Sequence, residues 1–174
     1  MIDISIKILT LMTSLTYGIS NSTLPQKESP VKSVSVNGMT FQWRFDKEQL
    51  SCIATAPTTG WVAVGFNTND KLKGTNLIMG AIEQDFINID DRFIVEPGNH
   101  KSITELGGSE ALTQKGGEEK DGISTIWFSI PLSVNDRFHH DLAEGKEYHL
   151  LLAYSQEDDF QHHSIMRTSV KVKF

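Results

Sequence analysis

Cysteine is the scarcest feature of this sequence: Cys52 is the only one in 174 residues. No intrachain disulfide and no CxxC metal clip can form. Basic charge is also thin, with 16 Lys+Arg against 22 Asp+Glu and a formal net charge of −6. That balance, without a Lys/Arg run, lacks the electrostatic footprint that nucleic acid requires. No apolar run is long enough to span a bilayer, since residues 4–19 are diluted by Thr10, Thr13, Ser14 and Thr16. There is no GxSxG, HExxH, Walker loop or GxGxxG. The neighbouring acids Asp90-Asp91 and Asp158-Asp159 do not define a glycosidase pair, and loop acids are mostly solvated.

What is present begins with an N-terminal stretch that fits a secretory signal over 1–20, with an apolar centre at 8–15 and small residues at Gly18-Ile19-Ser20. The competing reading is a cytosolic tail, because Asp3 cancels Lys7. Residues 21–33, rich in Ser, Pro and Lys, read as a linker, and 34–174 as a single domain. From Val34 onward the apolar period is two. Phe41, Trp43 and Phe45 alternate with polar residues, and 49–56 makes a second strand of a hairpin. Further strands are predicted at 60–66, 76–82, 86–95, 122–130, 147–154 and 164–174. Residues 99–120 read as a surface excursion and 136–145 as a short helical turn. This pattern predicts an all-β, antiparallel, immunoglobulin-like β-sandwich.

Two strands carry apolar residues on both faces. In Trp61-Val62-Ala63-Val64-Gly65-Phe66 and Leu77-Ile78-Met79-Gly80-Ala81-Ile82 neither face bears charge, whereas a sandwich strand ordinarily turns one face to water. Something apolar must cover the second face. The small residues Ala63, Gly65 and Ala81 beside Trp61 and Met79 suit a flat ligand. A loop such as 99–120, or a partner subunit, would serve as well.

These motifs, in order, resemble the DOMON family. Gly60-Trp61-Val62-Ala63-Val64-Gly65-Phe66 and Leu77-Ile78-Met79-Gly80 are followed by Asp90-Asp91-Arg92-Phe93 and Ile126-Trp127-Phe128-Ser129-Ile130-Pro131-Leu132. Leu152-Ala153-Tyr154-Ser155 and Phe160-Gln161-His162-His163 come next, with Arg167 four residues on. The resemblance implies a sandwich of about ten strands and, for many members, a b-type haem held between a Met and a His. It points to Met79 and His163 as axial ligands, His162 being the alternative because the pair leaves the register open. Thioether and imidazole are both sound iron ligands, and filling both axial positions favours electron transfer over oxygen chemistry. The haem would be non-covalent, since no CxxCH is present.

Trp61, Ala63 and Gly65 would line the haem face, and Arg167 would meet a propionate. The implied protein is an exported electron-transfer domain, secreted or periplasmic, with a redox partner protein and no catalysis of its own. The alternative is a non-haem module binding a sugar or a protein, with Trp61 as a stacking platform. His139-His140 near Asp141 suggest half of a divalent-metal site, against which stands the opposite facing of adjacent residues in extended chain. His100 and His149 have no neighbouring ligand pattern. Cys52 reads as a small buried hydrophobe.

Overall fold

A computed structural model of the chain describes residues 29–84 and 86–174. The signal reading of 1–20 and most of the linker lie outside the described residues. Strands β1 (Lys32–Val36), β2 (Met39–Asp46), β3 (Gln49–Ala56), β8 (Gln114–Lys120) and β9 (Ile123–Pro131) form one sheet, in the order β1-β2-β3-β9-β8. The other sheet holds β4 (Val62–Asn67), β5 (Asn76–Glu83), β6 (Phe86–Glu96), β7 (Asn99–Ser102), β10 (Glu147–Tyr154) and β11 (Met166–Lys173). Its order is β11-β10-β4-β5-β6-β7, and every pairing in both sheets is antiparallel. This is the predicted sandwich.

Period two in β2 and β3 puts Phe41, Trp43, Leu50, Cys52 and Ala54 inward, and they meet Val62, Val64, Phe66 and Ile78 of the opposite sheet. Phe66 sits edge-on to Phe41, Phe128 and Phe174, with centroids 6.1, 6.4 and 6.3 Å apart. Such edge-to-face pairs add to the gain from burial alone. The turn between β2 and β3 is only Lys47-Glu48, with Lys47 at φ 54°.

Three readings need correction. The excursion at 99–120 contains β7 and β8, each an edge strand of its sheet. Gln-Lys-Gly-Gly-Glu-Glu-Lys of β8 has no apolar residue, so periodicity could not reveal it. Residues 136–145 form no helix. That segment is pinned instead by the Tyr148 hydroxyl, which donates to the Asp141 carbonyl and accepts from the Ala143 N–H, both at 2.9 Å. The first strand also starts at Lys32, inside the stretch read as linker.

Candidate functional site

The doubly apolar strands are buried on both faces: all six residues of β4 and seven of eight in β5 are inaccessible. Their outer face carries a second apolar cluster, separate from the inter-sheet core, of Trp61, Ala63, Leu77, Met79, Ala81, Ile94, Leu151, Ala153 and Phe160. Register explains its shape. Arg167 of β11 lies opposite Ala153 of β10, Ala153 opposite Ala63 of β4, and Ala63 opposite Met79 of β5. Two alanines thus make a low floor between Met79 at one end and Arg167 at the other. At the usual strand spacing the two ends are about 14 Å apart.

The cover comes from two loops. Asn67 organises 68–75: its amide Nδ2 donates to the Lys71 carbonyl at 2.8 Å and to Thr75 Oγ1 at 3.0 Å, while Oδ1 accepts from the Thr68 N–H. This presents Leu72 to the cluster. Residues 156–165 form the other loop. Trp61 N–H donates to the Glu157 carbonyl and Ser155 N–H to the Trp61 carbonyl, each at 3.0 Å. Gly60 permits the crossing, since a Cβ there would fall 2.5 Å from the backbone of Gln156 and Glu157. Phe160 plugs inward, 8% exposed, under the Arg92 guanidinium at 5.7 Å from its ring centroid.

Between floor and cover lies a recess of about 110 Å³, whose lining includes Trp61, Ala63, Met79, His162, His163 and Arg167. Six residues singled out from sequence therefore converge on one place. Gly65 shares the strand face but does not line the recess; the space beside it is filled by Thr75, Leu77 and Leu151. Met79 is 1% exposed at the floor, whereas His162 and His163 are exposed at the rim. His163 precedes β11, so strand spacing does not govern its distance from Arg167.

A DOMON domain model matches residues 35–155. The chain belongs to the DOMON family. Its fold resembles the cytochrome domain of Myriococcum thermophilum cellobiose dehydrogenase, at 11% identity and TM-score 0.62, over 82% of this chain and 81% of that one. It also resembles the cytochrome b domain of pyranose dehydrogenase from Coprinopsis cinerea, at 8% identity and TM-score 0.60, over 78% of this chain and 76% of that one. No curated protein sequence matches the chain.

In this DOMON domain the recess holds one histidine that sequence reasoning passed over. His100 of β7 lines it. Arg92 Nε donates to His100 Nδ1 at 2.8 Å, and His100 also bonds the Phe160 backbone. Burial, and after it the Arg92 charge, push its pKa down, so the neutral ring is favoured. With Nδ1 accepting from Arg92, the proton of the neutral ring resides on Nε2, which leaves no free lone pair for a metal. His100 therefore acts as a strut between β6, β7 and the covering loop. Nothing in its sequence neighbourhood signals this, because β6–β7 pairing brings Arg92 to it. His162 is engaged at the rim with Asp159, Nδ1 to Oδ2 at 3.4 Å. The His163 backbone is anchored through its carbonyl by the Ser155 hydroxyl at 3.1 Å.

The remaining histidine pair separates. His139 bridges Asp91 (Nε2 to Oδ2, 2.9 Å) and Asp136 (Nδ1 to Oδ2, 2.8 Å), while His140 Nε2 bonds the Gly74 carbonyl at 2.9 Å. Among the described residues no cluster of His, Cys, Asp and Glu forms a metal site. Burial alone would lower the His139 pKa, but the hydrogen bonds and charges of Asp91 and Asp136 outweigh it and raise it. Cys52 is buried, and burial pushes its thiol pKa well up, as befits an inert core residue.

Proposed function

We propose that this DOMON domain is an exported electron-transfer module that holds haem b non-covalently, with Met79 and His163 as its axial ligands. The observation carrying this reading is the convergence of a buried thioether, a rim imidazole and a guanidinium around one alanine-floored recess. A second count is that Trp61 Nε1, which shares this state with Trp43 Nε1 of the inter-sheet core, is buried with no hydrogen-bond partner among the described residues, and Trp61 is the one of the two that lines the recess. When bound, haem supplies a one-electron couple whose potential the thioether shifts upward.

The chain's own residues do the rest. Ala63 and Ala153 keep the floor flat, and the covering loops exclude water. Arg167 offers a planar fork to a carboxylate at the far end of the floor. A recess of about 110 Å³ is smaller than the roughly 150 Å³ that accommodates benzene. A bound haem would therefore need the covering residues of 156–165 to sit farther out than they do here. With two axial ligands from the protein no position is left for a substrate, so the domain would relay electrons to a partner protein.

The decisive experiment is optical. Protein expressed with adequate haem should show a Soret band that sharpens and shifts on dithionite reduction, with the spectrum of low-spin iron. His163→Ala should convert it to high spin or remove it while His162→Ala leaves it. The reverse result moves the ligand by one residue. A colourless wild-type protein under haem-replete expression defeats the reading and leaves a sugar- or protein-binding recess centred on Trp61. For export, mass spectrometry of the mature protein should find an N-terminus near Asn21.

A further inference from the structure

The outer face of the six-stranded sheet is charged oppositely at its two ends, and register places each charge along it. On β11 the outward residues are Arg167, Ser169, Lys171 and Lys173, all exposed, while Met166, Val170 and Val172 turn to the core. The strand holds no acid. Glu147 of β10, opposite Lys173, enters this end from the neighbouring strand and is paired with Lys171 at 2.8 Å. Lys171 first, then Lys173 and His149, hold the Glu147 carboxyl below its usual range, so these groups share one patch. The 68–75 loop follows Asn67, which stands opposite His149, and adds Asp70, Lys71 and Lys73, the last paired with Glu96.

The other end is acidic. Glu83 closes β5 four residues beyond Met79 on the same side, and the bond from Trp61 to Glu157 brings Glu157 and Asp158 over that end. Glu119 of β8 reaches it from the other sheet. After burial, the charges of Glu119, Glu83 and Glu157 push the Asp158 carboxyl up, and those charges are all of one sign. Phe86 of β6, directly opposite Glu83, is 68% exposed, more than any other large apolar side chain among the described residues.

Both ends are equally far from the middle. Lys171 lies four residues from Arg167 along β11 and Glu83 four residues from Met79 along β5, about 13 Å to either side of the Met79–Arg167 row. A surface with opposite charges at equal distances from a line is complementary to itself turned over about that line. Such self-complementarity is what an isologous two-fold contact requires, since each patch is used twice. An unrelated acidic partner would suit the basic end and be repelled by the other, whereas a second copy satisfies both.

We propose that this face is the contact between two copies of the chain, related by a two-fold axis lying near the Met79–Arg167 row. Lys171 and Lys173 of each copy meet the acidic end of the other. Phe86 supplies the apolar part of the contact, because exposed ion pairs alone are weak and are screened by salt. The contact does not depend on haem.

Sedimentation equilibrium of the full chain tests this, with haem-free and haem-loaded protein alike. The mass should be that of a dimer at about 0.01 M salt, where the screening length is about 30 Å, and move toward the monomer at about 1 M, where it is about 3 Å. Lys171→Glu with Lys173→Glu reverses the basic end, and Glu83→Lys with Glu119→Lys and Glu157→Lys reverses the acidic one. Each reversed variant alone should associate at least about tenfold more weakly than the wild type, whereas an equimolar mixture of the two should regain a dimer. Phe86→Ala keeps every charge and should weaken the dimer about threefold with the salt dependence unchanged. The thermal midpoint checks that all variants are folded. A wild-type chain that stays monomeric in low salt overturns the proposal, as does a dimer that both reversed variants leave intact, or a mixture that stays monomeric. Masses above the dimer in the mixture would mean a head-to-tail contact and overturn the two-fold arrangement.

Discussion

The space between the sheets and the outer face of the six-stranded sheet are built from the same two strands yet filled in opposite ways. Inward, β4 and β5 present Val62, Val64, Phe66 and Ile78 to a continuous aromatic and aliphatic core. Outward, the same strands present Ala63, Gly65, Leu77 and Met79 to loops. The inner side is closed by a second sheet whose hydrogen bonds hold it in register. The outer side is closed by segments tied down at a few points, such as Trp61 to Glu157 and Ser155 to His163. The inner face is thus held by a hydrogen-bonded sheet, whereas the outer face, where Ala63 sits low between larger neighbours such as Leu77 and Met79, is held by loops alone.

Emptying the inner side should have the largest effect. Phe66→Ala removes a ring with three aromatic neighbours and should cost about 4 kcal/mol in denaturant titration. A loss under 2 kcal/mol would mean the inner core relaxes as readily as the outer face.

The next effect comes from His139→Gln, which removes the cation between two carboxylates and should cost about 3 kcal/mol near pH 6. Its pH dependence has a definite sign. The fold raises the His139 pKa, so its contribution is complete below about pH 6.5 and is lost as pH rises through the raised folded value. His100 is shifted the other way and contributes the opposite slope. The thermal midpoint of His139→Gln should therefore fall less between pH 6.5 and 9 than that of the wild type. Parallel profiles would remove His139 from the pH response.

Met79→Ala, on the loop-covered side, should cost about 2 kcal/mol, the low end for such a truncation, because a covering loop can settle onto the floor more readily than a sheet can. A cost as large as that of Phe66→Ala would show the outer face to be rigid core. Smallest is Arg167→Gln. It should leave stability within about 0.5 kcal/mol and, if the recess holds haem as proposed, lower both haem retention and midpoint potential, since the lost positive charge would no longer favour reduced iron. An unchanged potential would assign Arg167 to solvent.

Much of this contrast was legible in the sequence, because period-two alternation and its breakdown in β4 and β5 are direct consequences of what each face touches. β3 and β10 fall on the residues expected. The illegible parts share a cause. β7 and β8 are edge strands with little to bury, so their pairing leaves no apolar trace. Arg92, His100 and Phe160 meet only through those pairings, and Phe160 contributes one ring from a loop whose other residues are polar apart from the exposed Ile165.

The row from Met79 to Arg167 also has a consequence for the order of events during synthesis. β4 pairs with β5 on one side as soon as both exist, but its other edge waits for β10, whose first residue is Glu147. At ribosomal rates of about 5–20 residues per second, that edge stays open for on the order of ten seconds. Throughout this interval β4 has an unpaired rim of N–H and C=O groups and apolar residues on both faces, the combination most prone to wrong pairing between chains. Only when β10 and β11 arrive, and Phe174 docks against Trp43 and Tyr148, are the rim and the inner face closed together. Aggregation of nascent or truncated chains should therefore be governed by residues 147–174, which carry β10, β11 and Phe174.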